Sequence, residues 1–532
     1  MKVPWNTDDE DLIKAALKNA GLKKGDIKSA HIYKISVDAR KRDHKCDSIK
    51  KVASVVVDFH DKGIEENLIS KGFKSFGEGS YIPSLPRNKR AIIIAGFGPA
   101  GMFAGLVLSE NGYNPIILER GGEMSDRVTA VKSFWEDGIL NPESNVQFGE
   151  GGAGTFSDGK LTTRINDSRV RYIIETLVKY GAPSEILRFA KPHIGTDRLR
   201  EVVINIRKAI IKNGGEVRFN SKLTGVKTEL RRIKSVVVND EYELPCDALI
   251  AAIGHSAHDT VKMLMQAGAD IEGKPFSVGV RIEHNQEALN AALYGENRGR
   301  YKNLPVGEYQ LSRHFENHTV YSFCMCPGGV VVPSSSDCET IVTNGMSFYA
   351  RDGENANSAV CVSVSPEDFG NNPLDGMEFI KRIEAAAYNP KKPYSAPGTS
   401  VLGFLSGKAS LSSLSVNPTY SRGLYESDFT GIFPEFIIEN LKSGIKAFSR
   451  QLSVFGDGGA VLTAPETRTS SPVRVLRTEE LHANGITNLF PCGEGAGYAG
   501  GIVSAAVDGL KCAEGATKIG RAGGRLAPQK IF

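Results

Sequence analysis

Hydrophobic positions change period along the chain, and the changes mark its organisation. Near the start, Leu12, Ile13, Ala16 and Leu17 share one helical face, Thr7 and Glu10 carry the spacing of a capping box, and Gly21 supplies a stop. Two β-branched runs, AHIYKISVDA and VASVVVDFH, then predict strands on either side of a basic loop. YIPSLPRNKR, with two prolines and three cations, reads as a linker, so the main body begins near Lys89. From there AIIIA predicts a buried strand, a helix follows from Pro99 to a stop at Gly112, and PIILE predicts a second strand.

Beyond about residue 270 the texture turns β-rich, in KPFSVGVRIEH, TVYSFCMCPGGVVVPSSS and SAVCVSVSP. A helical stretch, PEFIIENLKSGIKAFSRQLS, precedes a glycine-rich return at VFGDGGAVL. These textures predict a small N-terminal α/β unit over residues 1–88 and a nucleotide-binding domain in two parts, 89–270 and 456–532. A β-rich α+β insertion over 271–455 separates the two parts.

Composition adds exclusions. At 532 residues the chain is too long for one core, and its 41% hydrophobic and 24% charged residues are those of an ordinary globular protein. No apolar run reaches the roughly 18 to 20 residues of a membrane span, and the acidic start MKVPWNTDDEDL is unlike a signal peptide, so a cytoplasmic protein is expected. Eight scattered cysteines suit reduced thiols better than a disulfide framework. The net charge of +4 is concentrated at the front, where residues 1–90 hold 19 Lys and Arg against 13 Asp and Glu, mostly in DARKRDHKCDSIKK. Asp43 and Asp47 interrupt that run and no aromatic residue is interleaved, which argues for a solvated loop and against nucleic acid. Metal-ligand pairs of the C-x2-C kind do not occur, and metal ligation has little support.

The first chemical signal is GFGPAG. Gly96, Gly98 and Gly101 follow a buried strand at G-x-G-x-x-G spacing, and Glu119 ends the next strand 23 residues after Gly96. Such glycines permit a tight turn, close approach to a pyrophosphate and close helix–strand packing, while the helix N-terminus favours the phosphate charge. A strand-end carboxylate suits a ribose diol. This fingerprint alone leaves NAD and FAD both open.

The C-terminal NLFPCGEGAGYAGGIVSAAVDGLKCAE is a further strand, glycine-rich turn and helix, without the strand and acid that would complete a second unit. Together with CDALIAAIGHSAHD, this layout resembles the flavoprotein superfamily with two dinucleotide-binding domains. SNVQFGEGGAGTFSDGKLTTRI, FSVGVRIEH, YSFCMCPGGVVVPSSS and CGEGAGYAGGIVSAAVDG narrow the likeness to a group of bacterial FAD-dependent dehydrogenases, the NAD/FAD-utilising dehydrogenases, from about residue 30 to the end.

The resemblance implies a Rossmann-like, glutathione-reductase-type fold holding FAD non-covalently. It places Gly96, Gly98, Pro99, Ala100 and Gly101 at the pyrophosphate, Glu119 at the adenosine ribose with Arg120 beside it, and Arg127 as a phosphate partner. In the glycine-rich loop 149–159 and just after it, Gly154, Thr155, Ser157, Gly159 and Lys160 would come near the flavin. Val226 would offer backbone contacts to adenine, and Gly254 would close the nucleotide side. Gly493 and Glu494 would meet the ribityl chain, with Gly500, Gly501 and Ile502 under the isoalloxazine. Glu494 departs from the pattern, which has Asp there.

An FAD-dependent oxidoreductase acting on a small molecule is the leading expectation, with NAD(P)H as a visiting reductant because no second complete nucleotide-binding unit is present. The rival is a flavoprotein assembly module whose basic N-terminal unit docks RNA or a protein. Cys324 and Cys326, at i and i+2 on one strand face, are the sharpest catalytic candidates, although packing in a β-rich core accounts for both more simply. Lys160 and His193 are further candidates. Cys492 reads as packing, His255 and His258 as loop hydrogen-bonders, and Arg281 and His284 as residues of the domain seam.

Overall fold

Five parallel strands form the sheet on which the site is built, in the spatial order Leu489–Pro491, Ala248–Ala251, Ile92–Ala95, Ile116–Leu118 and Glu216–Arg218. The structure, a computed structural model, describes residues 1–40, 49–77, 81–86 and 90–519. It is mixed α/β. The three central strands are almost wholly apolar and buried, as strands covered on both faces must be. The edge strand Leu489–Pro491 comes from the far end of the chain, so the sheet joins segments separated by more than 200 residues.

On one face lie the helices Pro99–Glu110, Arg169–Lys179, Thr196–Lys212 and Ile502–Lys518, packed through a single apolar core. The first and last of these lie in direct contact because Gly509 has no side chain: a Cβ there would stand 2.1 Å from the Ala100 carbonyl oxygen. That close approach packs the start of the first helix against the middle of the last. The opposite face carries the antiparallel meander Leu223–Glu229, Arg232–Val238 and Tyr242–Pro245 and the helix His258–Gln266.

The β-rich insertion is a seven-stranded sheet with its own core, built around Phe276–Asn285, His318–Cys326 and Asn355–Val364. Val461–Glu466 pairs with Phe276–Asn285 inside it, so this sheet continues past residue 455. The run TVYSFCMCPGGVVVPSSS divides at Pro327 and Gly328 into strands of two different sheets. Gly328 is left-handed (φ +50°) with its Cα against the Arg351 carbonyl, a position closed to any side chain. His284 is not at a seam: it is buried against Tyr309 and Phe455 in this core, where burial pushes its pKa down to about 4.

The N-terminal unit is a three-stranded sheet, Lys2–Pro4, Lys50–Phe59 and Ile27–Asp38 in spatial order, with the helix Asp9–Asn19. Its cap is Asp8, not Thr7; the Asp8 carboxylate accepts the Asp11 N–H at 2.8 Å. The unit bonds to the region of the parallel sheet through Ile35 and the backbone of Arg188 and Ala190, and to the insertion through Trp5 Nε1 and the Lys302 carbonyl. The centre of the basic loop, residues 41–48, and the expected start of the main body at Lys89 lie outside the described residues. Among the described residues no helix is long and apolar enough to cross a membrane.

Candidate functional site

A cavity of about 560 Å³ runs from the end of the parallel sheet to the inserted sheet. Gly96, Gly98, Pro99, Ala100, Glu119, Arg120 and Gly254 line one end. Gly154, Ser157, Gly159, Lys160, Glu494, Gly500, Gly501 and Ile502 line the other. Two helix N-termini open on it, Pro99–Glu110 and Ile502–Lys518, and in neither does a side chain cap the first turn. Free N–H groups of two helices therefore face one space, which suits an anion such as a pyrophosphate. Cβ atoms at Gly500 and Gly501 would meet nothing within 4 Å, and one at Gly98 only Gly152 Cα at 3.7 Å. These glycines keep the cavity clear. A long dinucleotide fits such a cradle.

At the nucleotide end the buried Glu119 carboxylate accepts from the N–H groups of Phe97 (2.8 Å), Gly121 (3.0 Å) and Gly149 (2.9 Å). Those three bonds fix its orientation and leave lone pairs for a diol. Arg120 is held over the Phe148 ring and bonded to Glu143 and Asp259, while Lys222 bridges the same two acids. Ser221, Lys222 and Leu223 line the cavity here.

At the other end, Asp158 lies between two cations, accepting from Lys160 Nζ at 2.6 Å and Arg351 Nε at 2.8 Å. Burial alone would raise its pKa, but those neighbours hold the carboxyl below its ordinary range. Lys160 also donates to the Met325 carbonyl, which ties the loop after residue 159 to the inserted sheet. His193 stacks on Tyr349 and bonds to its carbonyl; burial, with Arg351 adding, lowers its pKa. Burial pushes Glu494 up to about 7.

Cys324 lines the cavity, whereas Cys326 is fully buried behind it. The regular alternation that would put both on one face is broken by a bulge: Phe323 to Cys326 opposes Ala359 to Asn357, and Cys324 is left-handed at φ +44°.

Several expected contacts fall elsewhere. Arg127 is wholly buried under the loop 145–150, with Nε and both terminal nitrogens donating to the carbonyls of Asn145, Val146, Gly149 and Glu150. Four carbonyl partners satisfy it, and it does not reach the cavity. Thr155 turns inward to the Glu150 carbonyl. Gly101 packs against the Gly96 carbonyl, Gly493 gives its N–H to Asp508 at 2.7 Å, and Val226 lies beyond the stretch of strand that meets the cavity. Cys492, Asp508 and Cys512 converge closely, and Asp508 already holds Arg477.

The far wall holds residues that local patterns did not single out: Gln147, Glu308, Asn344, Arg351, Glu466 and Arg468. Buried Arg468 bonds to Glu384 (2.7 and 2.8 Å) and Asp337 (3.0 Å). Arg281, equally buried, pairs with Glu466 (2.8 and 2.9 Å) and donates to the Cys324 carbonyl at 3.0 Å. A buried charge without its pair is costly, so "charged residue within an apolar strand", as in FSVGVRIEH, was the available signal.

Residues 275–469 match the family described as "FAD-dependent protein, C-terminal domain-like", and residues 1–47 match a domain of unknown function. An uncharacterised protein of Clostridium beijerinckii is 44% identical over 522 residues, covering 95% of this chain and 96% of that one. Among solved structures, a flavin-dependent brominase shares 11% identity at a TM-score of 0.36, over 81% of this chain and 80% of that one. A geranylgeranyl bacteriochlorophyll reductase-like protein of Thermoplasma acidophilum shares 11% at a TM-score of 0.35, over 81% and 78%. Likenesses that distant say nothing about activity. The identity to the Clostridium protein over nearly the whole of both chains places this chain in that protein's family, and the matched FAD-dependent domain gives FAD as the cofactor.

Proposed function

We propose that the protein is an FAD-dependent oxidoreductase that holds FAD non-covalently and acts on a small molecule admitted between the parallel sheet and the inserted sheet. Residues 89–270 and 456–532, less the strand Val461–Glu466 that joins the inserted sheet, form the FAD-binding domain in this reading, and the insertion caps it. The observation that carries it is the pair of uncapped helix N-termini, Pro99–Glu110 and Ile502–Lys518, opening on one cavity with a strand-end carboxylate, Glu119, at the end it shares with Pro99.

Gly96, Gly98, Pro99 and Ala100 would hold the pyrophosphate, Glu119 the adenosine ribose, and Glu494 the ribityl chain. Bound flavin supplies two-electron chemistry. The helix N-terminus at Ile502 favours negative charge at the end of the cavity it faces. The inserted sheet excludes water from the other side, with Lys160 and Arg351 held by Asp158. A nicotinamide cofactor would visit as reductant.

An anaerobic visible spectrum of the purified protein, before and after NADPH and then NADH, tests this. Flavin bands that bleach within seconds establish a pyridine-nucleotide-dependent reductase. Bands that stay oxidised assign the electrons to the substrate. A colourless protein that FAD does not reconstitute overturns the proposal.

A further inference from the structure

We propose that Cys324 and Cys326 are a redox pair that cycles between dithiol and disulfide, passing two electrons between the flavin and a low-molecular-weight disulfide admitted to the cavity. This rests on the FAD reading above.

Packing accounts for Cys326, which is sealed in the inserted sheet, but not for Cys324. Cys324 is a non-glycine residue held at positive φ, in a bulge, with its side chain at the cavity wall. Such a conformation is strained and persists only where its surroundings enforce it. Here two cations hold consecutive carbonyls: Arg281 takes that of Cys324 at 3.0 Å, and Lys160 takes the next, that of Met325. The bulge re-aims Cys324 while keeping its partner close. The Cys326 sulfur lies 3.3 Å from the Cys324 carbonyl oxygen, two residues along the same strand.

The same neighbours divide the two thiols into a nucleophile and its partner. The Cys326 thiol next to it, and then the charges of Arg281 and Lys160, pull the Cys324 thiol down towards thiolate, whereas Cys326 is pushed up by its neighbour and by burial. A stabilised thiolate facing the cavity with a protonated thiol behind it is the arrangement thiol–disulfide exchange requires.

The steps balance. The Cys324 thiolate attacks one sulfur of the substrate disulfide, whose other sulfur leaves as a thiolate. Cys326 then attacks Cys324 in the mixed disulfide, losing its proton and releasing the second substrate sulfur as thiolate. The Cys324–Cys326 disulfide so formed is returned to thiolate and thiol by two electrons and one proton from the reduced flavin.

Two measurements on the full-length, flavin-loaded protein test this. Anaerobic dithionite titration of air-oxidised protein is expected to consume about four electrons per flavin in the wild type and about two in Cys324→Ser and Cys326→Ser, because the disulfide is itself a two-electron couple. Air-oxidised wild type, denatured in an alkylating agent, is expected to yield the peptide containing both cysteines unalkylated and about 2 Da below its dithiol mass, and doubly alkylated after reduction. A yellow wild type that takes up only about two electrons, with both cysteines alkylated before reduction, overturns the pair and leaves the FAD reading standing. A wild type that binds no flavin overturns the FAD reading and, with it, this role. The mass measurement needs no variant, so a serine variant that fails to fold does not spare the proposal.

Discussion

His255 Nδ1 stands 3.7 Å from Glu494 Oε1 at the cavity wall, yet the two do not form an ion pair. Burial lowers the His255 pKa to about 3, with the charge of Arg468 adding to the effect, and raises that of Glu494 to about 7, partly offset by Lys274. Desolvation outweighs their mutual attraction, so near pH 6 both are neutral. The cavity therefore meets its ligand with a carboxylic acid, a donor as well as an acceptor.

Glu494 makes the first prediction. An acid whose pKa is raised by folding contributes stability that is fully present below its ordinary value of 4.5 and is lost as pH rises through about 7. Flavin-stripped protein should lose stability between about pH 5 and pH 8, by up to about 3 kcal/mol from this group. Glu494→Gln should flatten that decline and be the more stable form at pH 8. Thermal unfolding of both proteins at the two pH values checks it; equal slopes would mean the carboxyl is ionised throughout.

Gly98 and Gly509 separate binding from folding. A Cβ at Gly98 has room in the fold and points to the space a dinucleotide would need, whereas one at Gly509 collides with the Ala100 carbonyl at 2.1 Å. Gly98→Val should weaken FAD binding by more than about tenfold and leave the unfolding temperature of flavin-free protein within a few degrees of wild type. Gly509→Val should lower both, because it pushes the two helices apart. Flavin retention on gel filtration and thermal unfolding distinguish the variants.

What could be read in advance was local. Gly96, Glu119 and the helix between them belong to one strand–turn–helix–strand unit, and their spacing carries the geometry. Glu494 and Gly501 come from the same kind of unit. Arg351, Arg468 and Gln147 come from segments far apart in the chain, and only the packing of the inserted sheet on the parallel one brings them to the same cavity. Strand periodicity puts Cys324 and Cys326 on one face; a bulge, which adds a residue to one strand, leaves no mark in that pattern. Arg127 misled for a related reason. A cation soon after a nucleotide-binding strand suggests phosphate, but its helix aims it at the carbonyls of a loop 18 to 23 residues later.

Arg127 is consequently a residue of stability. Its guanidinium serves four backbone carbonyls in a space closed to water, where burial pushes its pKa down to about 9. Arg127→Met should leave the Asn145 and Val146 carbonyls without donors, while Gly149 keeps the Gly152 N–H and Glu150 the Thr155 hydroxyl, and cost about 3 kcal/mol. The unfolding temperature should fall by several degrees even in flavin-free protein. A variant that unfolds like wild type and is weakened only in FAD affinity would restore the phosphate role.

Arg281 and Glu466 offer a sharper comparison, because the pair sits beneath Cys324. Glu466→Gln leaves a fully buried guanidinium with no countercharge, an arrangement that costs about 3–5 kcal/mol. Replacing both, in Arg281→Met with Glu466→Leu, removes the charge together with its partner and should recover most of that loss, as apolar substitutes for buried ion pairs commonly do. The double variant should nevertheless differ from wild type at Cys324, whose carbonyl loses its 3.0 Å donor and whose thiol loses a cation that lowers its pKa. Alkylation of Cys324 near pH 7 should therefore slow in the double variant while thermal stability stays near that of wild type. Unchanged alkylation would mean that Lys160 and Cys326 suffice to hold the thiolate, and that the buried arginine serves the fold alone.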